Sequence, residues 1–76
     1  MRTIREQLKK ARKEAGMTQQ QMADALGIGL RYYKQIEGGQ RTGDFILWDA
    51  LEDLLGVHQR ILRETSEIRL DKVDNP

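Results

Sequence analysis

Cations carry the chemistry of this chain. Arg31, Lys34 and Arg41, with the neutral amide of Gln35 among them, gather around one short stretch in its amino-terminal half. Residues 1–41 hold nine Lys/Arg against four Asp/Glu, a net of +5, whereas residues 42–76 hold four against eight, a net of −4, giving the whole chain its +1. A basic half of this kind is the electrostatic footprint of a phosphate-backbone partner. Helical surfaces carry Lys and Arg in any case, so the weight of the observation comes from the pattern that surrounds the cations.

Enzyme chemistry finds little support. No nucleophile elbow, no phosphate-cradling glycine loop and no paired metal ligands occur, and the chain has no cysteine. Asp49, Glu52 and Asp53 fall on one helix surface, where solvation is the default. His58 is the single histidine. It lacks sequence partners for a ligand or catalytic role, and a surface position at a helix start is expected. Phe45 and Trp48, at helical spacing, read as core rather than as a base-stacking platform. No catalytic residue, metal or cofactor is expected.

The elements that position the cations are legible in the stretch Thr18–Gly39. Met22, Ala23 and Leu26 lie three and four apart and share a helix face. Tyr33 and Ile36 begin a second apolar stripe after the break Gly27-Ile28-Gly29. Gly27 directly after the first run is placed to adopt φ > 0 as a C′ residue, and Gly29 starts the next helix. Thr18 with Gln21 fits a capping box, and Met17 with Met22 a hydrophobic staple. Two helices at a steep angle joined by a glycine-containing turn make the helix-turn-helix pattern, with the second helix suited to a DNA groove.

The remaining chain reads as flanking helices. Thr3 and Glu6 fit another capping box, and Ile4, Leu8, Ala11 and Ala15 predict a first helix from about Ile4 to Ala15, closed by Gly16. The second and third helices span about Gln19–Leu26 and Leu30–Glu37. Gly38–Gly43 is a loop by composition. A fourth helix begins near Asp44, capped by either Thr42 or Asp44. Phe45, Trp48, Leu51 and Leu55 form its stripe, widened by Leu47 and Leu54, and Gly56 ends it. A short fifth helix is expected from about His58 to Thr65. Residues 1–65 then form the domain and 66–76 a carboxy-terminal arm, in which Ile68 and Leu70 fit either a short strand or an extended or frayed segment.

These residues together resemble the lambda repressor-like, or Cro/repressor (XRE-type), DNA-binding family, over roughly Ile4 to Leu62. The resemblance is carried by Arg12, Thr18-Gln19, Met22-Ala23, Leu26-Gly27-Ile28, the run from Tyr33 to Gly39, and Leu55-Gly56-Val57. Two positions depart from the pattern. Tyr33 stands where an aliphatic residue is usual, so its hydroxyl either reaches solvent at the core's edge or shares that task with Tyr32. Gly29 stands where serine or threonine is common.

The resemblance implies an all-α, compact five-helix bundle and specific roles. Leu30, Arg31, Lys34 and Gln35 would lie over base edges, where Arg suits guanine, Gln adenine and an apolar group the thymine methyl. Thr18, Gln19, Gly38, Gln40, Arg41 and Thr42 would contact phosphates, the loop through backbone N–H groups as well as side chains. Arg12 and Glu37 would form a salt bridge between the first helix and the end of the third.

The expected function is sequence-specific binding of double-stranded DNA by a dimeric repressor. The alternatives are an antitoxin-type regulator that also binds a toxin protein, and a protein-interaction module without DNA binding. Val57, Ile61 and Leu62 are expected at the dimer interface, with Leu62 also a candidate for the monomer's core. A chain of 76 residues is one small domain, for which assembly helps. Without cysteine or a membrane-length apolar run, a cytoplasmic, membrane-independent protein is expected.

Overall fold

The computed structural model describes residues 2–68. In chain order they form β1 (Arg2–Ile4), α1 (Glu6–Glu14), α2 (Gln19–Leu26), α3 (Leu30–Glu37), α4 (Phe45–Leu55), α5 (Gln59–Leu62) and β2 (Ser66–Ile68). Five helices build the body, as an all-α fold requires. A two-stranded antiparallel ribbon closes it, pairing Arg2 with Ile68, Thr3 with Glu67 and Ile4 with Ser66.

Local signals set α2 and α3. The Thr18 side chain accepts from the Gln21 N–H, and the Gln21 side chain accepts from the Thr18 N–H, so the capping box is complete. Gly27 ends α2 at φ 71°, a conformation that costs other residues a Cβ clash. Asp44 caps α4 by accepting from the Leu47 N–H.

The core joins all five helices. Leu8 and Ala11 of α1 meet Met22 and Ala23 of α2, Tyr33 and Ile36 of α3, Leu47, Trp48 and Leu51 of α4, and Leu62 of α5. Met17, Leu26, Ile28, Tyr32, Leu55 and Val57 pack around it.

Five expectations are corrected. The first helix begins at Glu6, and its N-cap Arg5 makes no side-chain cap bond, because Thr3 and Ile4 are drawn into the ribbon. Ala15 is exposed rather than part of a buried stripe, since α1 has ended by then. The fifth helix is a single turn, Gln59–Leu62, shorter than the expected His58–Thr65. Phe45 is 74% exposed and Leu54 43% exposed, so the buried face of α4 is Leu47, Trp48 and Leu51. The Tyr33 hydroxyl does not reach solvent: the residue is fully buried and donates to Glu37 Oε2 at 2.7 Å. Of the arm, Ser66–Ile68 is strand; Leu70 and the remainder lie outside the described residues.

Candidate nucleic-acid interface

One side of α3 is bound into the protein and the other is free. Tyr33, Ile36 and Glu37 are buried, while Arg31 and Lys34 are exposed and Leu30 and Gln35 half-buried. The period of the helix thus separates the anchoring residues from a face carrying two cations, an amide and an apolar side chain. Such a face can pair with base edges and phosphates, since guanidinium and amide groups match purine edges in two-point contacts.

Glu37 is the anchor. Its Oε2 accepts from Arg12 Nε at 2.8 Å and from the Tyr33 hydroxyl at 2.7 Å. Its Oε1 accepts from Arg12 Nη2 at 3.2 Å and from Gln19 Nε2 at 3.1 Å. Arg12 also donates Nη1 to the Met17 carbonyl at 2.8 Å. With Arg12 7% and Glu37 3% exposed, both charges are out of water, a situation tolerated when the remaining donors and acceptors are filled. The knot ties the end of α3 to α1 and to the first turn of α2. The hydrogen bond to Glu37 holds the Arg12 guanidinium above its ordinary pKa, although burial opposes this. Burial, then the same carboxylate, pushes the Tyr33 hydroxyl well above the ordinary tyrosine range.

The Gln19 amide is therefore engaged internally, a partner that its position in the chain does not disclose. Thr18 is exposed, and its hydroxyl oxygen accepts from the Gln21 N–H of the cap.

The loop after α3 differs from expectation in which donors it offers. The N–H groups of Gly38 and Gly39 bond to the Lys34 and Ile36 carbonyls, and those of Gln40 and Arg41 both bond to the Gln35 carbonyl. Helix-end carbonyls need partners, and this loop supplies them. What faces solvent is the side chains of Gln40, Arg41 and Thr42. Arg41 lies 6.0 Å over the Tyr32 ring, which extends the cationic face of α3 towards the loop.

Among the residues expected at a dimer interface, Leu62 is fully buried in the core and cannot serve there. Val57 is half-buried against that core, and Ile61 is 44% exposed. Sequence reasoning passed over Ile46, which with Phe45 forms an exposed apolar pair, 75% and 74%, at the start of α4. Four consecutive apolar residues, Phe45–Trp48, were the available signal, because a helix can bury only part of such a run. His58 is exposed at the start of α5, where Nδ1 accepts from the Arg60 N–H at 3.1 Å.

The helix-turn-helix family matches residues 8–62 of the chain. A protein of Bacillus subtilis (strain 168), named as the uncharacterized HTH-type transcriptional regulator YqaF, is 39% identical over 61 residues, covering 80% of this chain and 80% of that protein. No solved structure gives a significant match.

Proposed function

This chain belongs to the helix-turn-helix family of DNA-binding transcriptional regulators, and from that premise we propose that it is a dimeric repressor that reads the major groove with α3. The observation that carries this reading is the division of α3. Glu37, Tyr33 and Ile36 lock one side, while Arg31 and Lys34 stand exposed on the other with Leu30 and Gln35 beside them. Arg31, Lys34 and Gln35 would contact base edges and Leu30 a thymine methyl. Thr18, Gln19, Gly38, Gln40, Arg41 and Thr42 would border the phosphates, with Gln40, Arg41 and Thr42 acting through side chains.

Repression follows from occupancy. An eight-residue helix spans only a few base pairs, so two copies on half-sites ~34 Å apart would be needed to select a site. Among the residues after α4 whose burial is described, Ile61 and the edge of Val57 are apolar groups available for pairing. The protein would act in the cytoplasm. No helix among the described residues is long and apolar enough to cross a membrane.

The exposed pair Phe45 and Ile46 favours a second reading, an antitoxin-type regulator that also holds a toxin protein, because adjacent large apolar side chains at the surface are commonly covered. Selection of bound duplexes from a random pool tests the main reading. An enriched palindrome is expected; recovery of unselected sequence would end it.

A further inference from the structure

Arg5 is only 5% exposed, yet it precedes the first helix, and its side chain takes no part in the knot around the Glu37 carboxylate. Its donors are distributed over three carbonyls. Nε donates to Arg63 at the end of α5 (3.1 Å), and Nη1 donates both to Ile36 in the last turn of α3 and to Arg41 in the loop (2.8 Å to the latter). The guanidinium also lies 5.0 Å over the Trp48 ring. Trp48 in turn donates its indole N–H to the Thr42 carbonyl at 2.7 Å. Two successive loop carbonyls, Arg41 and Thr42, are therefore gripped by two side chains stacked on each other.

The neighbouring backbone completes the clamp. The Arg5 N–H donates to the Glu37 carbonyl at 2.8 Å. Thr3 lies so close to Gly39 that a Cβ there would stand 2.8 Å from Thr3 Oγ1.

We propose that Arg5 is a positioning residue for DNA binding: it fixes the Arg41–Thr42 backbone so that the side chains of Gln40, Arg41 and Thr42 are held out towards the phosphates. This rests on the reading of that loop as a phosphate-contacting segment. The physical reason lies in the shape of the group. A planar guanidinium serves several carbonyls at fixed angles, which a lysine ammonium on a flexible stem cannot do. A loop held in its bound form loses less conformational freedom on binding. Carbonyls at a helix end also favour a cation, which offsets the cost of burying Arg5 beside Arg63.

The test is Arg5→Lys, which keeps the charge and removes the fork. Duplex affinity is measured over a salt series well below the unfolding temperature, with amide exchange of Gln40 and Arg41 compared against Met22 and Ala23. Affinity should fall on the order of tenfold, and the slope of log K against log salt should shrink by about one phosphate contact. Exchange at Gln40 and Arg41 should accelerate while the α2 amides hold. Adding Arg41→Ala should then cost little more. A variant with unchanged salt slope and unchanged loop exchange overturns the proposal, since a purely structural role would lower only the unfolding temperature. If Arg5→Lys does not fold, the wild-type Arg5 Nη1 protons, which bond the Ile36 and Arg41 carbonyls, decide: slow exchange supports the clamp, and exchange at the solvent rate overturns it. If the wild-type chain binds no duplex, the functional reading fails by itself, and the exchange data still decide whether Arg5 holds the loop.

Discussion

Tyr33 and Glu37 sit one helical turn apart on α3, and the buried hydroxyl of the first donates at 2.7 Å to the same carboxylate oxygen that Arg12 grips at 2.8 Å. The tyrosine thus does what an aliphatic residue at that position could not: it fills core volume and supplies a hydrogen bond to a buried charge.

Removing the anchor should be costly. Glu37→Gln leaves the Arg12 guanidinium buried without its counter-charge, and a loss of about 3–5 kcal/mol of unfolding free energy is expected. Denaturant unfolding of Arg12→Met, Glu37→Gln and the double variant should show strong non-additivity. Additive effects would mean that the two charges act independently.

Alkaline pH should report on Tyr33. Folding holds its proton above the pH at which an exposed tyrosine ionises. The folded state therefore binds a proton that the unfolded state has released. Stability from this group is fully present below about pH 10 and declines as pH rises from there towards the raised folded value. The unfolding free energy measured from about pH 8 to about pH 11 should fall more steeply for wild type than for Tyr33→Phe. The variant should also be less stable at the lower pH by about 1–3 kcal/mol, the range for a lost bond to a charged acceptor. Parallel pH profiles would contradict the assignment.

On DNA, the two arginines should separate. Arg31→Ala should cost ~1–3 kcal/mol and relax preference at one base pair of a selected pool. Arg41→Ala should weaken all duplexes alike and reduce the salt slope by about 1. An unchanged binding motif with Arg31→Ala would move base reading to another residue.

Leu62 and Ile61, adjacent in the chain, should fail in different ways. Leu62→Ala opens the core and should lower stability by about 2–5 kcal/mol. Ile61→Asp, at a site 44% exposed, should leave folding nearly intact and shift sedimentation from dimer to monomer. A wild-type chain that sediments as a monomer at high concentration, and binds a half-site as tightly as a palindrome, would remove the dimer.

What the chain determined by itself is whatever depends on near neighbours. The Thr18–Gln21 box, the turn at Gly27 and the three-four spacing of Met22, Ala23 and Leu26 act within a few residues, so α2 and α3 are readable from order alone. The division of α3 is readable for the same reason, because one helical period sets both faces. Tertiary structure decided what local rules leave open. Thr3 and Glu6 spell a cap, but Thr3 is claimed by a strand more than sixty residues away, at Glu67. Phe45 and Trp48 share a stripe by spacing, yet α4 meets the core along Leu47, Trp48 and Leu51, leaving Phe45 at the edge in water. Arg5 looks like another surface cation; only folding brings Ile36, Arg41 and Arg63 carbonyls around it. Such partners are distant in sequence, and a buried polar group takes whichever acceptors packing delivers, so no spacing within the chain announces them.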